Sequence, residues 1–417
     1  MSSVVIKAIQ THDMRFALEA GEGADSIHST PQYSYAVTQL VSSAAFEGIG
    51  LAFTLGGGNE LVCQAIDALS QVLVGMEIEA LMADFGNVFA KILEHPQYRW
   101  LGPHKGVVHL ALSSITNACF DLWAKSRDVP LWKLLLDLSP EQLVKTLHLR
   151  YLDDVLSKND ALEILTEEYA HRKSRQAILK QGYPGYDTSI GWFQYTDDTI
   201  KENIIKSMDQ GFGAVKLKVG SIDPERDIRR ANLVRETVGD DARVMLDANQ
   251  QWTLPQAIRI CLELGKMNPY WIEEPTHPDD VIAHQTLSRA IAPIKLALGE
   301  HVPNQVIFKN YLQAGTAGFV QPDCVRLGGI SEFITVSLMA RKFGIPVVPH
   351  VGDMGQIHQH LVLFNHIALG HEAIFLEYIP HLRNHFIHPA IVENGVYMTP
   401  QMSGSSSDLV QLSEQNG

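Results

Sequence analysis

The apolar positions of this chain follow two rhythms, and the change comes near residue 180. Before it, short mixed runs at 4–9 and 36–41 read as strands, while 61–74 and 106–124 carry apolar side chains at the 3.6-residue spacing of helices. That combination predicts an α+β opening domain. From Gly182 onward, short apolar runs alternate with amphipathic helical stretches, the pattern of βα units around a parallel sheet. The runs are YPGYDTS (183–189), AVKLKV (214–219), RVMLDAN (243–249), YWIEE (270–274), KLALGE (295–300), GFVQPD (318–323), IPVVPH (345–350) and AIFLE (373–377). Eight in succession over about 200 residues predict a closed βα barrel rather than an open sheet.

Most of these buried-looking runs end in a polar side chain. In such barrels the C-terminal strand ends and the loops after them form the active-site face, so a carboxylate there points into the mouth and not the core. The steps from Asp247 to Glu273, Glu300, Asp323, His350 and Glu377 are 26, 27, 23, 27 and 27 residues, each one βα repeat. Three acids ending successive strands converge as hard oxygen donors, which suits Mg²⁺, and without a cation they would repel one another. The plainer alternative is that each acid caps the helix that follows it. The sequence itself does not choose between Glu273 and Glu274.

In KLKVG (216–220), Lys216 and Lys218 share one face of a strand whose flanking residues are apolar, so both are predicted to point into the barrel. Beside another cation and a metal, a lysine's pKa is expected to fall, which frees a neutral amine as a base. Asp323 and His350 end consecutive strands and can form the carboxylate–imidazole pair of a general acid or base.

Composition narrows the remaining choices. The 417 residues, 46% of them hydrophobic, suffice for two or three domains with sizeable cores. A net charge of -14 without basic patches argues against nucleic acid and anionic membrane surfaces. No apolar run reads as a membrane span and the first residues do not read as a signal peptide, so a cytoplasmic protein is expected. Cys63, Cys119, Cys261 and Cys324 lack metal or disulfide spacing and read as reduced core thiols. The Gly-rich LGGGNE (55–60) lacks the lysine and hydroxyl of a phosphate loop and reads as a lid turn. The only HxH, His358/His360, is poorly placed for a metal-dependent hydrolase.

KxK on the second strand, Asp, Glu and Glu on the third to fifth, and an Asp–His pair on the sixth and seventh together resemble the mandelate racemase branch of the enolase superfamily. Within that branch the resemblance is to L-fuconate dehydratases and fungal L-galactonate dehydratases. It is carried by THDMRF (11–16), RWLGPHKGVVHLAL (99–112), LRYLDD (149–154), TSIGW (188–192), DANQQW (247–252), WIEEPTHPDD (271–280), NQVIFK (304–309) and HLRNHFIHP (381–389).

The resemblance implies an α/β fold, a TIM-like (β/α)7β barrel with an α+β N-terminal capping domain. Its expected parts are a capping domain at 1–150, a helical connection at 151–182, the barrel at 183–380, and a C-terminal segment, 381–417, returning to the cap. It also implies Mg²⁺ on Asp247, Glu273 and Glu300, Lys218 as base, and His350 as acid with Asp323 orienting it. Substrate contacts are implied at Gly23, Ala24, Asp25, Tyr33, Lys216, Asn249 and Glu377.

The implied reaction is dehydration of an acid sugar. Lys218 removes the proton next to the carboxylate, His350 protonates the departing β-hydroxyl, and a 2-keto-3-deoxy acid forms. A small-molecule substrate and a homo-oligomer are expected. A racemase or epimerase on the same scaffold, or a non-catalytic sugar-acid binder, are the alternatives.

The chain departs from these dehydratases at HVGDMG (350–355), FTLGGGNE (53–60) and GAD (23–25), where HAGGVG, FTIGRGND and GSD are usual. Ala24 and Gly56 thus lack a hydroxyl and a guanidinium, which predicts looser binding of the far end of the sugar, with Asp25, Tyr33 and Asp353 setting preference. The polar, Ser-rich end of the chain, with SGSSSDL (403–409), is expected to be disordered.

Overall fold

The computed structural model describes residues 3–102 and 104–415. The first two and last two residues of the chain, and Pro103 within RWLGPHKG, lie outside the described residues.

Three antiparallel strands open the chain, β1 (Ile6–Arg15), β2 (Ser34–Ser42) and β3 (Gly48–Thr54), paired in that order. Helices α1 (Asn59–Ser70) and α2 (Gly106–Ser126) follow. β2 is buried along most of its length because both faces are covered, so it lacks the alternation of a half-exposed strand. The glycine at position 50 lets α2 lie directly on β3, since a Cβ there would come 1.9 Å from the Ser114 carbonyl oxygen. By length and composition α2 could cross a membrane, but 89% of its apolar window is buried inside the protein, as in a core helix.

After short helices between residues 131 and 181, the barrel begins. Its strands are β4 (Tyr183–Gly191), β5 (Ala214–Lys218), β6 (Arg243–Asp247), β7 (Trp271–Glu273), β8 (Leu296–Leu298), β9 (Phe319–Val320) and β10 (Leu376–Tyr378). Helices α3 (Asp197–Asp209), α4 (Pro224–Val238), α5 (Leu254–Leu264), α6 (Val281–Ala290), α7 (Gln305–Ala314), α8 (Ile330–Phe343) and α9 (Ile357–Leu369) alternate with them. Neighbouring strands pair in parallel from β4 to β9, the 345–350 run contributes a bridge from Val347 to Val320, and β10 pairs with β4. This is a (β/α)7β barrel. β4 covers its whole run and continues to Gly191, whereas β7, β8 and β9 hold only two or three residues of theirs.

One expectation is overturned. Ser405, Ser406 and Ser407 are buried, not disordered. The cause is Asp121 in the middle of α2, whose enclosed carboxylate accepts the Ser405 N–H at 2.7 Å and its hydroxyl at 2.9 Å. A buried carboxylate needs such donors, and a serine-rich segment supplies them compactly. The cysteines are free thiols, as expected.

Candidate active site

Strand register builds the site. Lys218 is paired in register with Asp247 across β5–β6, and Asp247 with Glu273 across β6–β7. Adjacent parallel strands lie about 4.8 Å apart, so three polar side chains at equivalent positions stand side by side on the inner face. Glu300 joins them from two residues beyond β8. The intervening Gly299 has φ +156°, and a Cβ there would come 2.4 Å from the Gln321 backbone, so glycine is required for the chain to turn Glu300 inward.

Asp247, Glu273 and Glu300 each present an oxygen within 4.8 Å of the others. All three are buried, and Glu300 Oε2 has no hydrogen-bond partner. An all-oxygen trio with an orphaned anionic atom fits a hard divalent cation such as Mg²⁺. Two further trios are equally close, Glu274 with Glu300 and His301, and Asp323 with Cys324 and His358. In each of those, imidazole–carboxylate contacts already join the members.

The lysines are tied into this cluster. Lys216 Nζ lies 2.8 Å from Glu273 Oε1 and 2.8 Å from Glu377 Oε1, and Lys218 Nζ donates to Asp247. The expected fall in lysine pKa is not what this arrangement produces. Burial pushes both down, but Asp247 beside Lys218, and Glu273 and Glu377 beside Lys216, outweigh it and hold both above the usual lysine range. The expectation weighed the second lysine and the cation, not the number of carboxylates. A cation sharing those carboxylates competes with the ammonium groups for the same charge.

On the other side, His350 Nδ1 lies 2.7 Å from Asp323 Oδ2, which places a proton on Nδ1, while Nε2 stands 3.4 Å from Glu300 Oε2. Burial lowers the imidazole's pKa, yet the Glu300 charge and the Asp323 hydrogen bond carry it up to about 9. Asp323 is fully enclosed, and its histidine partners hold it well below the usual carboxylate range despite that burial.

Lys218, Glu300, His350, Asn249 and Glu377 line one cavity of about 50 Å³ at the C-terminal ends of the strands. Gly23, Asp25 and Tyr33, from the loop between β1 and β2, close it from the capping domain.

Residues 199–411 match the family described as enolase C-terminal domain-like, and residues 23–135 the mandelate racemase / muconate lactonizing enzyme N-terminal domain. The chain is 41% identical over 418 residues to mitochondrial enolase superfamily member 1 of Homo sapiens, covering 98% of this chain and 94% of that protein. The chain belongs to the mandelate racemase branch of the enolase superfamily. It is also 37% identical to L-galactonate dehydratase of Hypocrea jecorina, covering 98% of this chain and 93% of that one. The crystal structure of the human protein matches with a TM-score of 0.96 at 40% identity, covering 99% of this chain and 95% of that chain. L-talarate/galactarate dehydratase from Salmonella typhimurium matches with a TM-score of 0.79 at 24% identity over 99% of this chain and 92% of its own, a likeness of fold.

Within this enolase-superfamily barrel, the candidates from the sequence fall into two groups. Lys218, Glu300, His350, Asn249, Glu377, Gly23, Asp25 and Tyr33 reach the cavity wall. Asn249, at φ +44°, directs its backbone N–H to Asp247 Oδ1 at 3.0 Å and leaves its own Oδ1 buried without a partner, a second orphaned atom at the wall. Asp247, Glu273, Lys216 and Asp323 lie behind the wall and are almost wholly enclosed.

Ala24, between Gly23 and Asp25, is fully buried and is not among the residues lining the cavity; its carbonyl accepts the Phe193 N–H at 2.9 Å. Gly56 is not among the lining residues either; a Cβ there would meet Gln32 Oε1 at 2.9 Å. Asp353 is buried and accepts from the Tyr35 hydroxyl and, at 2.6 Å, from the Gly355 N–H. The three positions expected to loosen or retune the sugar site are therefore not on its walls.

His28, Phe53, Leu55, Trp192, His301, Arg326 and Ile379 also line the cavity and were not among the candidates; three of them shape its polar wall and floor. His301 Nδ1 contacts Glu300 Oε1 at 3.1 Å and Glu274 Oε2 at 3.0 Å. Arg326 donates from Nε to the Glu300 carbonyl at 2.9 Å. Trp192 stacks on His381 with ring centres 5.4 Å apart, under Lys218. Trp192 lay within the quoted TSIGW and His301 directly after KLALGE, but neither stretch marks which side chain turns inward.

Proposed function

We propose that this chain is a hydro-lyase that dehydrates an acid sugar of the L-galactonate or L-fuconate kind to a 2-keto-3-deoxy acid with Mg²⁺. The observation that carries the reading is that Lys218 and His350 line the same small cavity, with Glu300 of the carboxylate trio between the two chemistries. The L-galactonate dehydratase among the relatives supports it.

Asp247, Glu273 and Glu300 would hold the cation. What it supplies there is Lewis-acid neutralisation of the charge that builds on the substrate carboxylate. Lys216, fixed between Glu273 and Glu377, adds a permanent positive charge behind that carboxylate. Lys218 takes the C2 proton once its ammonium has been deprotonated. His350, with Nδ1 anchored on Asp323, donates from Nε2 to the C3 oxygen. The C3–O bond breaks, water leaves with both its hydrogens accounted for, and the enol tautomerises to the keto acid. General acid–base groups of this type contribute roughly 10²–10⁴-fold each. Trp192 and the loop carrying Tyr33 keep bulk water from the cavity. A homo-oligomeric state and a cytoplasmic location belong to the same proposal. The word "mitochondrial" in the human relative's name describes that protein.

The test is a panel of C5 and C6 aldonic acids with Mg²⁺, scored for 2-keto product. Keto acid from at least one of them, lost in EDTA, is expected. Deuterium entering C2 without keto acid would replace the reading with racemisation or epimerisation.

A further inference from the structure

Asp323 is gripped by two histidines, only one of which faces the cavity. His350 Nδ1 lies 2.7 Å from Oδ2, and His358 Nε2 lies 2.8 Å from Oδ1, which also accepts the Val325 N–H at 2.9 Å. His358 sits in the first turn of α9 with its side chain 4% exposed and is not part of the cavity wall. Two acceptors 2.8 Å apart repel, so the contact requires the proton on His358 Nε2. The Cys324 backbone N–H also points at this nitrogen, but at 3.2 Å it is the longer and weaker of the two contacts. The nearby Asp353 is occupied by Tyr35 and Gly355, which leaves Asp323 as the carboxylate His358 serves.

Without His358, Oδ1 would keep only the Val325 N–H, a neutral donor from its own loop, and the carboxylate could turn more easily about its Cβ–Cγ bond and let its partner drift. With an imidazole N–H on each oxygen, any turn breaks a charge-assisted hydrogen bond in a dry site. We propose that His358 is a positioning residue: it locks Asp323 so that Oδ2 keeps His350 in the tautomer and orientation that present Nε2 to the substrate. This rests on the reading of His350 as the proton donor to the departing hydroxyl. Partners of this second rank typically change activity by roughly 10–100-fold.

The experiment uses the full-length enzyme with Mg²⁺ and L-galactonate in D₂O, and follows both keto acid and deuterium at C2 of recovered substrate. His358→Leu removes the donor, and His358→Gln keeps one. In His358→Leu, keto acid formation is expected to fall roughly 10–100-fold while C2–H cleavage persists. The ratio of exchange to elimination therefore rises at least about tenfold, and His358→Gln restores much of it. Equal loss of both processes, or wild-type elimination in His358→Leu, overturns the proposal. If the leucine variant does not fold, His358→Asn, too short to reach Oδ1, replaces it.

The resting enzyme offers a second readout. The downfield proton resonance of His350 Nδ1–H should shift or vanish in His358→Leu. An unchanged resonance overturns the positioning role whatever the substrate. A shifted resonance with no keto acid from wild type supports the positioning and counts against the dehydratase reading alone.

Discussion

Two buried charge clusters in this molecule are built from the same residue types and are satisfied very differently. Where the C-terminal segment meets α2, Asp121 accepts from Ser405 N–H, Ser405 Oγ and Ile49 N–H, and pairs with Lys125 at 2.7 Å. Lys125 Nζ in turn reaches Asp408 at 2.7 Å and the Glu47 carbonyl at 3.0 Å. Every lone pair that matters has a donor. In the barrel mouth, Asp247, Glu273, Glu300 and Glu377 face two lysines and two histidines, and Glu300 Oε2 and Asn249 Oδ1 accept no hydrogen bond. The first cluster is a fastening that joins residues 284 positions apart. The second leaves buried acceptors open, which is what the proposed cation and substrate site requires.

The largest expected effect is at the incomplete cluster. Glu300→Gln should lower turnover by roughly 10²–10³-fold or more. In EDTA its unfolding free energy should fall by only about 1–3 kcal/mol, since the charge paired with His301 and facing His350 is lost while an amide oxygen still accepts from His301. Mg²⁺ should raise the melting temperature of wild type and not of the variant. A variant that is both inactive and strongly destabilised would erase the contrast between the clusters.

Asp121→Ala should behave in the opposite way. Removing one partner of a buried, hydrogen-bonded pair costs about 3–5 kcal/mol. Urea unfolding should show that loss, while kcat per folded molecule at low temperature stays near wild type. A wild-type urea midpoint would mean that the serine-rich segment is not fastened there.

These contrasts also mark where the sequence could be read. The carboxylates of VMLDAN and WIEE were legible because helix capping can explain one acid at the end of a buried strand but not three spaced by the βα repeat. Glu273 and Glu274 were not separable, because one peptide at a strand end decides which faces inward. Here Glu273 meets Lys216 and the Trp271 indole Nε1–H, while Glu274, at φ +42°, turns to His301 and Gln250. The lysine pKa direction was missed because it depends on how many carboxylates converge. The tail was missed because its partner, Asp121, lies mid-helix and remote in sequence, where nothing local announces it.

Neither cluster sets the acid limit on its own, and a third prediction separates that effect. Burial pushes His360, beside the Trp132 N–H, down to about 3 and His371 down to about 4. The unfolded chain takes up these protons near pH 6.5 while the folded chain refuses them, so stability is lost as pH falls from about 6.5 toward those values. Each histidine adds a slope approaching about 1.4 kcal/mol per pH unit. Urea unfolding at pH 7 and 5 should show His360→Gln losing less stability over this interval than wild type. Equal losses would contradict the assignment.

The smallest effect is expected from Ser405→Ala, which removes one hydroxyl from Asp121 and leaves the backbone N–H. A loss of about 1 kcal/mol, read from urea unfolding, is expected. A loss above about 3 kcal/mol would mean that the hydroxyl, not the lysine, holds the fastening.

The most direct test of the central claim follows a single NMR time course of the wild-type protein with L-galactonate and L-fuconate in D₂O, first in EDTA and then after excess Mg²⁺. The account predicts no reaction before the addition and 2-keto-3-deoxy acid after it from at least one of the two. Keto acid formed in EDTA would contradict it. So would Mg²⁺ that raises the melting temperature yet yields neither keto acid nor deuterium at C2.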